Sequence, residues 1–417
     1  MLLTSPDPQP AETLALGPWL DELAAMPGAF SAMLRQALQG AASGYGHTIR
    51  EICRQPVTWA GTARRLPEFR RAVVESLSGC RRVVLTGSGS SQFAGDCSAP
   101  ALCAELGLSV EALGSGSILT ARRAAVQGEP TLVVSLARSG DSPESSAVVE
   151  LLLALEPGTR HLIVTCNPDG KLARNFAGNP RVRPVILGSQ VDDRSLVMTS
   201  SFTNLALGAL YLSRTERPQA FAAAADDLAA AARRLLADWP DRLARFIAGD
   251  VTRIVFLGAG CRHGAAKECA LKVLEMTGGK IASMAETCLG LRHGPMCYID
   301  ERTLVVCFLS SDPLVAPYEI DLIRELHAKG LGAKRLAAGR TEALREIAGA
   351  VDVAIPYEAS AGIGDPEFAL LDAIVGQLLG FHRCLLEGLQ PDSPSSGGII
   401  TRVVGSFPIH FPPKASS

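Results

Sequence analysis

The sequence has no long apolar run, no CxxC pair of cysteines and no excess of charge of one sign. No apolar stretch reaches the length of about 18 residues that marks a membrane-spanning helix. The Ala-rich segment 220–237 is interrupted by charged residues. The N-terminus has no basic region followed by an apolar stretch, so no signal peptide is expected. These absences predict a cytoplasmic protein without a membrane partner.

The balance of charge and the placement of Cys and His exclude further classes of function. Lys and Arg number 40 and Asp and Glu 42, so no net field favours nucleic acid. The eleven Cys mostly lie in apolar segments, which predicts reduced, buried thiols. None of the seven His pairs with Cys or an acid at ligand spacing, so no metal site is predicted. No GxxxxGK[ST] sequence is present, which excludes a P-loop.

The chain carries one layout twice. In the first copy an apolar strand leads to a glycine turn at Gly87, and another apolar strand begins at Thr131. In the second copy the same two features stand at Gly258 and Thr303. The offset between the glycine turns and the offset between the later strands agree to within one position, which indicates a duplicated domain. The first copy has more hydroxyl groups in its turns and the second more ionisable groups, so we expect the copies to divide the labour.

Continuous apolar strands alternate with helical segments, which predicts an α/β fold of parallel sheets covered by helices on both faces. The expected strands are 82–86, 131–136, 161–165 and 182–187 in the first copy, and 253–257, 303–309, 351–355 and a weaker 333–337 in the second. The expected divisions are a tail and helical segment at 1–78, a first domain at 79–218, a helical connector at 219–250, a second domain at 251–390 and a tail at 391–417.

Small hydrogen-bonding residues follow three strands of the first copy. Because ligands of parallel sheets bind where strands end and helices begin, these turns are candidates for one site. Hydroxyls, backbone N–H groups and a helix dipole together suit a phosphate, although Ser-rich turns also serve simply as helix caps. The candidate substrate-binding residues are Gly89, Ser90, Ser91, Arg138, Ser139, Ser142, Thr199, Ser200 and Ser201.

A dinucleotide site is the alternative for the first turn. Glu111 lies near the distance expected for an acid that binds the ribose of NAD, but Gln92 stands where the fingerprint has Gly or Ala. The ring of hydroxyls in the later turns suits a phosphomonoester better than a dinucleotide. We therefore expect no cofactor.

Ionisable residues gather in the second copy. Lys272 and Glu275 are spaced i, i+3 on the predicted helix after the glycine turn, and Arg292 and His293 lie in a loop before the next strand, with Glu286 between the two groups. A surface salt bridge is the alternative for Lys272 and Glu275. A carboxylate and an imidazole near a sugar phosphate suit proton transfer between adjacent carbons and the ring oxygen.

Several segments together resemble a known family. The duplicated domain, over about residues 50–405, resembles tandem sugar isomerase (SIS) domains. Residues 270–275 and 291–295 resemble the catalytic segment of the isomerase half of glucosamine-6-phosphate synthase. A closer resemblance is to the AgaS family of tagatose-6-phosphate ketose/aldose isomerases and galactosamine-6-phosphate deaminases. It is carried by ARSGDSPES at 137–145, VMTSSFT at 197–203, RHGP at 292–295 and GLQPDSP at 388–394.

The resemblance implies a role for several residues. Ser90, Ser91, Ser139 and Ser142 fall on phosphate-binding positions, with Arg138 beside them. Glu275 falls on the base that moves a proton between C1 and C2, and Lys272 on a lysine that assists. His293 falls on the residue that opens the sugar ring, often in a neighbouring subunit's site. The family therefore implies a homo-oligomer, either a dimer or a dimer of dimers.

The chain departs in two respects from the proteins that it resembles. The segment between Glu275 and His293 is two residues longer than in the synthase, and Glu286 in it is a candidate contact for an amino or hydroxyl group. The synthase's glutamine-hydrolysing domain has no counterpart here, so release of ammonia is the expected direction. Galactosamine 6-phosphate is the favoured substrate; an isomerase for a non-amino sugar phosphate and a non-catalytic sugar-phosphate regulator are the alternatives. The preference at C4 stays open.

Overall fold

The computed structural model describes residues 16–126, 129–395, 397–405 and 407–410. The expected N-terminal tail therefore lies almost entirely outside the described residues. Five helices open the described chain: α1 Leu16–Ala25, α2 Ala29–Leu38, α3 Gly46–Cys53, α4 Gln55–Arg65 and α5 Arg70–Leu77. Helices α11 Pro218–Asp238 and α12 Pro240–Ile247 form the connector between the two copies.

The first copy contains a five-stranded parallel sheet of order β2-β1-β3-β4-β5. Its strands are β1 Arg82–Gly87, β2 Ser109–Gly114, β3 Thr131–Ala137, β4 Thr159–Thr165 and β5 Val182–Ile186. Its helices are α6 Ser90–Leu106, α7 Ser115–Val126, α8 Pro143–Leu155, α9 Lys171–Arg174 and α10 Ser200–Leu210.

The second copy repeats this order in its own five-stranded parallel sheet, β7-β6-β8-β9-β10. The strands are β6 Arg253–Leu257, β7 Ala282–Glu286, β8 Thr303–Phe308, β9 Lys334–Gly339 and β10 Val353–Pro356. The helices are α13 Gly260–Met276, α14 Cys288–Leu291, α15 Ala316–Ala328, α16 Thr341–Glu346 and α17 Asp365–Leu386. The identical strand order confirms the duplicated α/β fold.

Two strands were not predicted. Strands β2 and β7 lie at matching edges of their sheets and are mostly half-buried. An edge strand needs less apolar sequence than a central one, and these strands contain Glu111 and Glu286. The signal used for the central strands, a continuous apolar run, is therefore absent from them.

Helices α6 and α13 pack closely and connect the two copies. The backbone of α6 approaches Gly264 so tightly that a Cβ there would lie 2.4 Å from the Cys97 nitrogen. Asp96 of α6 pairs with Lys267 of α13 at 3.3 Å, and the repeat that relates Gly87 to Gly258 also relates these two positions. The helices therefore cross in antiparallel fashion near a local pseudo-twofold axis, and the start of each meets the end of the other.

Helix α17 lies behind α13 in the core. Among the described residues it is the single helix long and apolar enough, by composition, to cross a membrane, but 89% of its apolar window is buried inside the protein. Its Gly376 packs on Cys269, and a Cβ at that glycine would lie 2.2 Å from the Cys269 sulfur. The apolar character of α17 is thus accounted for by burial in the protein core.

Asp392 in the C-terminal segment caps α3. Its carboxylate accepts hydrogen bonds from the backbone N–H groups of His47 at 3.1 Å and Thr48 at 2.7 Å. We expect Asp392→Ala to lower the free energy of unfolding by about 1–2 kcal/mol, because helix N–H groups lose their acceptor. Urea unfolding measures this loss. Asp392→Asn, which keeps one acceptor oxygen, should lose less; equal losses in both variants would contradict a capping role.

Candidate active site

The start of α6 meets the end of α13 at the carboxyl edge of the first sheet. Gly89 precedes α6 with a φ of 56°, a conformation that favours glycine, and turns the chain from β1 into the helix. Ser90 and Ser91 follow and are nearly buried. The Lys272 ammonium donates to Ser90 Oγ at 3.0 Å and also to the Glu275 carboxylate. Side chains from the two copies therefore form one site.

Lys272 and Glu275 do not form a surface salt bridge. The Lys272 side chain is 1% exposed, whereas that of Glu275 is 24% exposed. Burial lowers the pKa of Lys272, but the charges of Glu268 and Glu275 outweigh this effect, so its pKa lies above the ordinary value. A held ammonium beside a partly open carboxylate can position a proton acceptor and stabilise developing negative charge.

Glu268 is a member of this group that the sequence analysis missed. It lies one turn before Lys272, is fully buried, and places Oε1 3.4 Å from Lys272 Nζ. Burial raises the pKa of Glu268 to about 8, with Lys272 partly opposing the rise. The i, i+4 spacing of Glu268 and Lys272 was the available signal.

The loop after β3 lies at the same edge, because β3 pairs with β1 in parallel. Arg138 in this loop is buried, and its guanidinium donates to the carbonyl oxygens of Leu196 at 3.2 Å and of Arg402. Arg402 in turn donates to the Asp192 carboxylate at 2.6 Å. The C-terminal segment thus reaches the edge of the first sheet, a contact that the sequence did not indicate.

Two serines of the same loop are half-buried. Ser139 Oγ accepts from the backbone N–H of Asp141 at 3.2 Å, and Ser142 Oγ donates to the Glu144 carboxylate at 2.6 Å. Ser135, at the end of β3, has a buried hydroxyl without a hydrogen-bond partner among the described residues. The carboxyl edge of the first sheet therefore holds several hydroxyls besides those at the start of α6.

The third predicted cluster differs from expectation. Thr199, Ser200 and Ser201 are fully buried and do not line an open crevice. Asp193 accepts from the N–H groups of Thr199 and Ser201 at 2.8 Å each and from the hydroxyls of Ser200 and Ser201 at 2.8 and 2.5 Å. The chain's own carboxylate thus occupies the start of α10, where a phosphate was predicted. Arg54 completes this network, 2.9 Å from Asp193.

The matching edge of the second copy is filled by side chains. Arg262 stands at the position that the repeat pairs with Ser91, and it is fully buried in a salt bridge with Asp372. Its guanidinium also donates to carbonyl oxygens at the ends of β8 and β9, and Tyr357 donates to Asp372 at 2.8 Å. A protein cation and its counter-ion therefore fill this edge of the second copy, whereas the first copy has the small residue Ser91 at the matching position.

Lys272 and Glu275 are likewise confined to one end of the crossing between α6 and α13. Ala101 and Ala104 of α6 stand at the positions that match Lys272 and Glu275 of α13. Alanine can neither transfer a proton nor bind an anion through its side chain. The described residues thus present one composite site and one inert counterpart.

The remaining candidates lie elsewhere in the second copy. The His293 side chain is exposed and makes no hydrogen bond among the described residues, while Arg292 Nε donates to Glu325 at 2.8 Å. The Glu286 carboxylate accepts from the backbone N–H of Thr287 at 2.7 Å. The Glu286 carbonyl accepts from Gly258, which places Glu286 near the start of α13.

Glu286, the candidate contact for an amino or hydroxyl group, lies far from Glu275 within one chain. The two residues lie at opposite ends of α13, about 22 Å apart along a helix that rises about 1.5 Å per residue.

Among the described residues, no group of three His, Cys, Asp or Glu side chains is arranged to hold a metal ion.

Comparison with known proteins identifies the family. No protein-family model matches the chain. The AgaS protein of Streptomyces coelicolor is 37% identical over 376 residues, covering 87% of this chain and 95% of the relative. The chain belongs to the AgaS family. The D-galactosamine-6-phosphate deaminase AgaS of Escherichia coli O157:H7 is 34% identical over 371 residues, with the same coverage.

A solved structure of a sugar-phosphate isomerase has the same fold. The crystal structure of tagatose-6-phosphate ketose/aldose isomerase from Escherichia coli superimposes with a TM-score of 0.80 and 30% identity, covering 94% of this chain and all of that one. The predicted tandem SIS fold is therefore confirmed for this AgaS family member.

Proposed function

We propose that the protein converts galactosamine 6-phosphate into tagatose 6-phosphate and ammonia. The observation that carries the proposal is that Lys272 donates both to Ser90, at 3.0 Å, and to Glu275, since this joins the candidate base Glu275 to a candidate phosphate site. The deaminase name of the relative from Escherichia coli supports the choice of an amino sugar. The proposal includes different roles for the two copies: residues 79–218 bind the sugar phosphate, and residues 251–390 carry the catalytic groups.

The phosphate binds at the first copy in this proposal. Gly89 and Ser90 offer backbone N–H groups, and Ser90 and Ser91 offer hydroxyls, at the start of α6, where the helix dipole favours an anion. Ser139 and Ser142 contribute further hydroxyls from the neighbouring loop. Arg138 adds positive charge beside them.

Glu275 acts as the base in the isomerisation. His293 assists opening of the pyranose, and Glu275 takes the C2 proton of the open-chain aldehyde and returns it to C1. For a 2-amino sugar the resulting ketimine adds water and releases ammonia. Lys272 stabilises the oxyanion that develops on O1. These reaction steps require only proton transfers and water.

The imidazole reaches the site from a second subunit. His293 is exposed and is flanked by Leu289, an exposed apolar residue of the neighbouring helix α14. Around Glu275, Leu274 is 43% and Ile399 is 92% exposed. Exposed apolar residues beside each partial site suit a twofold dimer in which the region around His293 of one subunit covers the region around Glu275 of the other.

A cytoplasmic location is also part of the proposal. All eleven Cys are free thiols in the structure. Cys288 and Cys307 approach to 3.7 Å without forming a disulfide. Free buried thiols are typical of proteins in a reducing compartment.

A panel of hexosamine and hexose 6-phosphates tests the function. We expect purified protein to release ammonia and a ketose phosphate in equal amounts from galactosamine 6-phosphate, more efficiently than from glucosamine 6-phosphate. Ketose formation from a hexose 6-phosphate without ammonia from any hexosamine would instead identify an aldose–ketose isomerase. Tight binding of the sugar phosphates with no turnover would identify a regulator, and either outcome contradicts the proposal.

A further inference from the structure

Glu268 is a buried carboxyl group at the core of the candidate site. Its side chain is fully buried, and neither carboxyl oxygen makes a hydrogen bond of normal geometry among the described residues. Its nearest ionic partner is Lys272 Nζ at 3.4 Å. An unsatisfied buried carboxyl group is costly to the native state, so such groups are concentrated at functional sites.

Lys272 lies between two carboxyl groups of the same helix. Glu268 is one turn before it and fully buried, whereas Glu275 is almost one turn after it and partly open. One ammonium balances one carboxylate, so the second carboxyl group is stable as the neutral acid. The repeat places Cys97 at the position that matches Glu268, so the extra acid is present where the candidate base is and absent from the inert counterpart.

We propose that Glu268 holds a proton in reserve for Lys272 and is a positioning residue that acts on the substrate through that lysine. The proposal rests on the deaminase function. In this proposal Glu268 exchanges protons with Lys272 and does not only stabilise the charge of the Lys272 ammonium.

Every proton that moves in this step is accounted for. Glu275 takes the C2 proton, the C2–H electron pair becomes the C1=C2 bond, and O1 takes a proton from the Lys272 ammonium. The Glu268 acid then returns a proton to the Lys272 amine and becomes a carboxylate. Glu275 delivers its proton to C1, and the proton released from the nitrogen as the neutral ketimine forms restores Glu268 through Lys272.

The groups around Glu268 set its titration. Those on α13 are Lys272, Glu275 and Cys269, and those on α6 are Ser90 and Cys97. Arg138 lies near Lys272. Asp372 of α17 lies near Cys269 and is paired with Arg262. Burial raises the pKa of Glu268 to about 8, so the acid form is present below this pH and is lost above it. We therefore expect kcat of the wild type to fall as pH rises through about 8.

Glu268→Gln tests the proposal, because the amide keeps the shape and neutrality of the acid but has no proton to give. We expect kcat to fall about tenfold or more with KM changed less than about threefold, and the fall above pH 8 to disappear. Glu319→Gln is the matched control. Glu319 is a buried carboxyl group of α15 with one unpartnered oxygen and a pKa raised by burial to about 7.

Stability measurements separate a structural role from a chemical one. A carboxyl group whose folded pKa is raised stabilises the native state at low pH, and this contribution is lost as pH rises through the folded pKa. Both Gln variants should therefore remove part of the decline in unfolding free energy with rising pH, while the control keeps wild-type kcat. A Glu268→Gln variant with the kcat and pH profile of the wild type would overturn the inference about Glu268 but leave the deaminase function standing. Absence of turnover in the wild type would instead overturn the deaminase function.

Discussion

Glu275→Gln is expected to reduce kcat at least about 100-fold while the protein still binds sugar phosphate, because a positioned base contributes about 10²–10⁴-fold. The amide is nearly isosteric with the carboxylate and can still accept from Lys272, so the hydrogen bond between Lys272 and Ser90 should persist. Ammonia release measures kcat, and titration calorimetry with galactosamine 6-phosphate measures binding.

The matched control is Glu216→Gln, which removes an exposed carboxylate paired with Arg70 at the surface. This variant should keep wild-type kcat. Turnover of Glu275→Gln close to that of the control would remove Glu275 as the base. Loss of binding together with turnover would show that the substitution disturbs the phosphate site instead.

A heterodimer of two inactive variants is expected to recover about half of the wild-type activity, because one of its two shared sites is intact. One subunit carries Glu275→Gln and the other His293→Asn, and two different affinity tags isolate the mixed dimer. In one site Glu275 and His293 are both native, and in the other both are replaced. Each variant alone should retain less than about 1% of kcat.

The physical basis of this expectation is the separation within one chain. His293 is exposed just after α14, which follows the carboxyl end of β7, whereas Glu275 lies at the end of α13 remote from that end of the strand. Full activity of His293→Asn alone would exclude the imidazole from ring opening. An inactive heterodimer would contradict a site shared between subunits.

The central strands were predictable from sequence because they are buried on both faces. Strands β1, β3, β6 and β8 are continuous apolar runs, and the repeat of Gly87 at Gly258 identified their pairing into two copies. The edge strands β2 and β7 were missed because solvent and neighbouring helices leave them half-buried. Partial burial does not require an apolar run.

The candidate site was predictable where its chemistry is local in sequence. Lys272 and Glu275 lie on one helix face, and their spacing indicated the pair. The crossing of α6 with α13, which brings Ser90 to Lys272, depends on contacts between residues far apart in sequence and carries no local signal.

The assignment of Thr199, Ser200 and Ser201 to substrate shows a second limit. A helix start rich in hydroxyls accepts an external phosphate or an internal carboxylate equally well. Only the fold reveals that Asp193 occupies this position. Burial of Glu268 is likewise a property of tertiary packing, since its i, i+4 spacing from Lys272 is common on exposed helices.

The most direct measurement is a crystal structure of the Glu275→Gln variant soaked with galactosamine 6-phosphate. We predict that the phosphate accepts hydrogen bonds from residues 89–91 and from Ser139 or Ser142, and that C2 of the sugar lies within about 3.5 Å of the side chain at position 275. A partner subunit should bring its imidazole to the ring oxygen. A sugar phosphate bound at the carboxyl edge of the second sheet, or with C2 remote from position 275, would contradict the account.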